Sequence, residues 1–308
     1  MHQRLLRDHG LVIDRETVRR AIKRLDPEGV EMRTKRRFRR RYAALGPNFI
    51  WHLDGYDKLK PYWFCIHGAI DGYSRRILWL EVGPTNNDPM ITARYFIDYV
   101  QQLRGLPRVV RGDCGTENIH IAAVQRFMRR NGGDNMAGEK SFLYGKSVAN
   151  QRIEAWWSFL RKSNTDCWIR FFKDFSDLGH FDNRNIIHVE CLRFCFMGLI
   201  EEELYKVAQN WNLHKIRPCN AETPLGRPDT LFFPPGEAGA TDYKKDADEN
   251  DLEVAENLCG ERCHPLGCSL AFVSLTELIM EDNNLHLPQD PNEAASLYLD
   301  LLHHINNL

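Results

Sequence analysis

A chain of 308 residues with 43% hydrophobic and 27% charged residues has the composition of an ordinary folded protein, with room for one large core or two modest ones. Its longest apolar run, residues 191–200, is interrupted by Arg193 and is far shorter than the ~20 residues needed to span a bilayer, so no transmembrane segment is predicted. The first residues, "MHQRLLRDHG", lack an apolar signal core, and the nine cysteines are scattered unevenly, which points to a reducing, intracellular compartment.

The net charge of −1 conceals a strong segregation. Residues 1–46 carry fourteen Lys and Arg against six Asp and Glu, whereas residues 237–308 carry three against fifteen. That pattern predicts a basic arm for a polyanion, and an acidic tail that is solvated or covers basic surface in cis. Three segments are expected: a basic region over 1–46, a core over 47–236, and an acidic linker with a short helical tail over 237–308.

In chain order, "VIDRETVRRAIKRLD" reads as a helix capped by Asp14 and stopped at Asp26-Pro27. Val18, Ala21, Ile22 and Leu25 recur at helical spacing and form a narrow core face. Arg15, Arg19, Arg20, Lys23 and Arg24 occupy the remaining surface, as candidate contacts to DNA. A short helix, "HQRLLRDH", precedes it across "GLVI", and the pair resembles the second half of a helix-turn-helix domain with a truncated start. The run "RTKRRFRRRY" has no apolar period; Lys35, Arg36, Arg37, Arg39, Arg40 and Arg41 are expected to lie on phosphates or to serve as a nuclear-localisation signal.

After Gly46-Pro47 the pattern changes to strands. "NFIWHLDGYDKLK" is a strand whose apolar run ends at Asp54, and "YWFCIHGAID" and "RRILWLEV" are two more joined by the turn "DGYS". "NDPMITARYFIDYVQQLRG" is a helix with Pro near its start and Gly105 at its end. "LPRVVRGDCGTEN" is a short strand running into a turn at Asp113, "IHIAAVQRFMRR" a helix, "KSFLY" a short strand, and "NQRIEAWWSFLR" a helix bearing Glu154. The order is therefore βββαβαβα.

Taken singly, Asp54 and Asp113, each near a Gly, read as turn residues, and Glu154 as a solvated side chain paired with a cation such as Arg152 or Lys162. Taken together, "WHLDGYD", "RGDCGTEN" and "NQRIEAWW" resemble the three catalytic blocks of retroviral integrases and related DDE transposases, over roughly residues 47–236. The resemblance implies an α/β fold with an RNase H-like core, a mixed five-stranded sheet flanked by helices. It also implies that Asp54, Asp113 and Glu154 hold Mg²⁺ or Mn²⁺ and carry out DNA cleavage followed by strand transfer. Such chemistry suits oxygen ligands and two divalent ions roughly 3.5–4 Å apart. DNA is then the partner, a homo-oligomer is expected because two DNA ends must be joined, and the nucleus is the expected location. Two other classes remain open: a domesticated, catalytically silent DNA-binding protein, and a nuclease that does not transfer strands.

Asp57, Asp71 and Glu117 are rival carboxylates, the first two reading better as turn residues and Glu117 failing to match the acidic position of the second block. Helical spacing places Gln151, Ser158 and Arg161 near the Glu154 face, where Gln151 and Arg161 are candidate DNA contacts. Trp156 and Trp157 are expected in the core, and His52 reads as a structural histidine. Further on, "WIRFFKDF" and residues 185–212 read as helices, "WNLHKIRP" and "TPLGRPDTLFF" resemble the segment closing many transposase cores, and residues from 237 begin a disordered acidic linker. "AFVSLTELIMED" and "NEAASLYLDLLHHINN" read as amphipathic helices. Cys259, Cys263, His264 and Cys268 are too closely spaced for a typical structural zinc site. No Cys precedes Cys65, unlike the His/Cys zinc domain of retroviral integrases, so an insertion-sequence type of N-terminus is the closer parallel.

Overall fold

The computed structural model describes residues 10–34, 44–145, 150–216 and 224–307. The chain divides into two compact units, Met1–Tyr42 and Ala43–Leu308.

In the first unit, helix α1 (Arg15–Leu25) begins where expected. Asp14 Oδ1 accepts the backbone N–H groups of Glu16 and Thr17 at 2.8 and 2.9 Å, satisfying two of the donors a helix start leaves open. The predicted four-residue core face is only partly realised: Val18 is buried and Ile22 half-buried, but Ala21 and Leu25 are exposed. Asp26 does end α1, yet Pro27 opens a second helix, α2 (Pro27–Thr34), whose Gly29 N–H donates to Asp26 Oδ1 at 2.8 Å. Pro is well suited to a first helical position, where its missing N–H costs nothing. The expected helix at "HQRLLRDH", and Lys35, Arg36, Arg37, Arg39, Arg40 and Arg41, lie outside the described residues.

The second unit is built on a five-stranded mixed sheet. Strands β1 (Ile50–Tyr56), β2 (Cys65–Asp71) and β3 (Ile77–Gly83) form an antiparallel meander, and helix α3 (Pro89–Leu103) leads to β4 (Val109–Gly112). Helix α4 (Ile119–Met128) then leads to β5 (Phe142–Tyr144). The spatial order is β3-β2-β1-β4-β5, with β4 parallel to both its neighbours. Helix α5 (Gln151–Leu160) passes through one π-helical turn, Arg161–Thr165, into α6 (Asp166–Asp177), and the long α7 (Ile186–Leu213) follows. The expected βββαβαβα order is the order found.

Two apolar clusters flank the sheet. Trp51, Leu53 and Val110 pack with Phe96, Val100 and Ile121 of α3 and α4 on one side. On the other, Ile66 and Ile70 meet Ile153 and Trp156 of α5, Phe172 of α6 and Phe196 of α7. Burial on both faces explains why the central strands read as continuous apolar runs rather than alternating ones.

After α8 (Pro228–Phe232), the chain from 237 onward is ordered against this unit. Tyr243 N–H donates to Pro47 O at 2.9 Å, and Leu106 and Lys245 exchange backbone bonds of 2.7 and 2.9 Å. Helix α9 (Glu249–Asn257) brings Asp251 to Arg130 at 2.6 Å and Glu256 to Arg94 at 2.9 Å. Helices α10 (Leu270–Asn283) and α11 (Pro291–Asn306) place Val273, Tyr298 and Leu301 in the same cluster as α7. The expected disordered linker is thus corrected: its acidic residues find arginines on α3 and beyond α4, and its apolar residues complete a core. No helix among the described residues is long and apolar enough to cross a membrane.

Candidate active site

The sheet positions two of the three candidate carboxylates by register alone. Strands β1 and β4 pair in parallel through His52 and Arg111; continued two residues further, the same register carries Asp54 towards Asp113. Asp54 then lies in the carboxyl half of β1 and Asp113 just past the end of β4, towards the carboxyl side of adjacent parallel strands, where α/β sheets collect sites. The third acid, Glu154, sits in the first turn of α5. There its negative charge also suits the positive end of the helix.

Asn150 ties that helix to β1. Its Nδ2 donates to Leu53 O at 2.8 Å, its Oδ1 lies 2.7 Å from His52 Nδ1, and its main-chain oxygen accepts Glu154 N–H at 3.2 Å. Both Asn150 and His52 are fully buried. Burial pushes the His52 imidazole down to about 3, so it is a neutral hydrogen-bonding group at physiological pH and its Nδ1 carries the proton that Asn150 accepts. This agrees with the structural role expected for it.

Each aspartate is held by a nearby donor. Trp157 Nε1 donates to Asp54 Oδ2 at 3.0 Å, while Asp113 Oδ1 accepts from Asn118 Nδ2 at 2.8 Å and from Gly115 N–H at 3.1 Å. The three carboxylates feel one another. Burial, with the charges of Glu154 and Asp113 adding to it, pushes Asp54 up to about 7 against the Trp157 bond that favours its ionised form. Burial and the charge of Asp113 also raise Glu154.

Glu117 enters this group too. Asn118 Nδ2 lies 3.1 Å from Glu117 Oε1 while bonding Asp113, and burial, together with hydrogen bonding and charge from Asp113, raises Glu117. Asp57 is exposed, paired with Lys60 at 3.5 Å and bonded by Asn86 at 2.9 Å. Asp71 has a different task. It is fully buried and accepts Asn48 N–H, Tyr73 N–H, Ser74 N–H and the Ser74 hydroxyl at 2.8–3.1 Å, fastening the β2–β3 turn to the approach of β1.

The remaining candidate residues are dispersed. Gln151 is exposed at the start of α5, and Arg161, also exposed, donates from Nε to Asp166 Oδ1 at 2.9 Å. Arg15, Arg19, Arg20, Lys23 and Arg24 are exposed on α1 in the first unit, with Arg19 and Arg20 3.8 and 3.6 Å from Glu16. Cys259 and Cys263 pack beside the α3–α4 cluster whereas Cys268 belongs to the α7 cluster, its thiol donating to Glu190 O.

Among the described residues, no three His, Cys, Asp or Glu side chains are assembled to hold a metal ion. The donor chemistry of Asp54, Asp113 and Glu154 nevertheless fits a hard divalent cation. All are oxygen ligands, and the burial and, secondarily, the mutual repulsion that raise Asp54 and Glu154 are what a cation would offset.

The integrase core domain family matches residues 41–229, well over half of the chain. The protein belongs to that family, and its mixed sheet flanked by helices is the RNase H-like integrase core fold. No curated protein matches it. Membership brings integrase- or transposase-like function in general terms, with DNA as the implied partner and divalent metal as the usual cofactor of the family.

Trp157, Asn118 and Asn150 join the site only through the fold. An indole or an amide carries no sequence signal of which acceptor it will meet; only the position of Trp157 three residues after Glu154, on the same helical face, points towards it.

Proposed function

We propose that this protein cleaves DNA and joins the exposed 3′ end to a second DNA, with Asp54, Asp113 and Glu154 as its catalytic carboxylates. The observation that carries the reading is the convergence of the three acids: the β1–β4 register carries Asp54 towards Asp113, and Asn150 ties to β1 the helix whose first turn bears Glu154. They come from β1, the turn after β4 and the first turn of α5, within a chain of the integrase core family. A bound Mg²⁺ or Mn²⁺ would supply charge neutralisation at the leaving oxygen and activation of the attacking water or hydroxyl. The chain's own contribution is to crowd the carboxylates and restrain them: Trp157 holds one oxygen of Asp54, Asn118 one oxygen of Asp113, and Asn150 fixes the start of the Glu154 helix on β1. Arg15, Arg19, Arg20, Lys23 and Arg24 with Lys35, Arg36, Arg37, Arg39, Arg40 and Arg41 form the electrostatic grip on phosphates. Gln151 and Arg161 add contacts beside the site, Arg161 after release from Asp166. The protein acts as a multimer in the nucleus.

A catalytically silent DNA-binding protein is the second reading, favoured by the long acidic tail, whose Asp251 and Glu256 occupy Arg130 and Arg94. Incubation of the full chain with linear duplex DNA and Mg²⁺ separates the readings. Joined products support strand transfer, cut but unjoined DNA makes it a nuclease, and DNA retention without either product makes it a silent binder.

A further inference from the structure

We infer that Trp157 is a positioning residue for Asp54, an inference that rests on the metal-binding reading of the three carboxylates. Asp54 and Gly68 are directly paired across β1 and β2. The missing side chain at 68 makes room for the indole: a β-carbon there would stand 2.9 Å from Trp157 Cη2. The ring is buried and held further by Tyr56 and Trp156, at centroid distances of 5.2 and 5.3 Å. Its orientation is therefore over-determined before any hydrogen bond is considered.

An indole N–H is a donor only, and when buried it needs an acceptor. Trp157 spends its donor on Asp54 Oδ2 at 3.0 Å. The adjacent Trp156 is buried equally well, yet its Nε1 has no partner among the described residues, so burial of an indole beside this strand does not by itself produce such a bond. Fixing Oδ2 restricts rotation of the carboxyl group, which also accepts from the Gly55 N–H, and so sets the direction in which its oxygens face a cation. Because Trp157 follows Glu154 by one helical turn, α5 delivers both its own carboxylate and the donor that aims the carboxylate of β1. A shift of this helix would move two ligand oxygens together. Outer hydrogen-bond partners of this kind typically contribute about 10–100-fold to metal affinity.

The test is calorimetric titration of the full chain with Mn²⁺, alone and with a short blunt DNA duplex, for wild type, Trp157→Phe and Gly68→Ala. Trp157→Phe keeps an aromatic ring without the donor; Gly68→Ala keeps the donor but displaces the ring. Both are expected to weaken Mn²⁺ binding by about 10–100-fold with the cooperative melt retained. Wild-type affinity in a folded Trp157→Phe chain overturns the positioning role while leaving the metal site standing. No Mn²⁺ binding by the wild type, even with DNA, overturns the metal site and this role with it. Should the variants fail to fold, the wild-type chain still decides. The indole N–H resonance of Trp157 is expected to shift on addition of Mg²⁺, and a resonance that stays fixed while calorimetry records binding refutes the inference.

Discussion

Replacing Asp54 with Asn should make the protein more stable, and more so as the pH rises. The carboxyl of Asp54 lies at about 7 instead of its ordinary 3.8, mainly through burial and then through the charges of Glu154 and Asp113. A folded-state value above the unfolded one means that the stabilising contribution is complete below pH 3.8 and is lost as the pH rises through about 7. At pH 8 the ionised side chain therefore costs up to about 4 kcal/mol, taking ~1.4 kcal/mol for each of roughly three pH units. Asparagine removes that charge and keeps an oxygen able to accept from Trp157. Allowing for imperfect replacement, we expect Asp54→Asn to gain about 2–4 kcal/mol at pH 8, raising Tm by at least roughly 4 °C, and to gain less at pH 5, about 1–2 kcal/mol, because there only the unfolded carboxyl has ionised and the loss has run through little more than one pH unit above 3.8. Asp71, also raised by burial to about 6, titrates in both proteins and cancels in the comparison. Thermal melts without metal at the two pH values measure the difference. A variant no more stable than wild type at pH 8, or a gain that does not change between pH 5 and 8, would refute the raised carboxyl of Asp54 and the burial that causes it.

Asp54→Asn, Asp113→Asn and Glu154→Gln should each abolish Mg²⁺-dependent cleavage while DNA retention on a filter persists; full activity in any one of them removes that residue from the site. Duplex binding should weaken steeply with salt. Neutralising Arg19, Arg20 and Arg24 should lower the slope of log affinity against log salt by about 0.9 for each phosphate left without its cation, and an unchanged slope argues against the basic arm. Leu301→Ala, at a fully buried position of α11, should cost about 2–5 kcal/mol in denaturant unfolding, whereas a surface tail would show almost none. A chain ending at residue 236 should lose its cooperative melt, since α10 and α11 complete the α7 core.

The strand and helix order is legible in the sequence because each element carries a local signal: apolar runs bounded by turns for the strands, Pro and Gly at the ends of α3, helical spacing in α5. Sequence also brings out the three acids, through the blocks around them and not through any one residue. What escapes it depends on distant partners. The tail reads as disordered because its charges, taken alone, lack Arg94 and Arg130, which meet Glu256 and Asp251 only in the fold, as Lys245 meets Leu106. Helix α2 escapes because Asp26-Pro27 signals both an end and a beginning. Leu25 has the spacing of a core residue, yet it is 86% exposed, since helical periodicity identifies a face without supplying a surface to cover it. Trp157 lies in the core as its sequence context predicts, but that its N–H reaches Asp54 follows from the Asp54–Gly68 pairing, which no local pattern encodes.

The central claim is that Asp54, Asp113 and Glu154 form one cation-binding site. Calorimetric titration of the full chain with Mn²⁺ in the presence of a blunt DNA duplex, wild type against Asp113→Asn, tests it most directly. Saturable binding by the wild type that disappears in the variant is the predicted result. Equal binding by both proteins, or none by either, would contradict it.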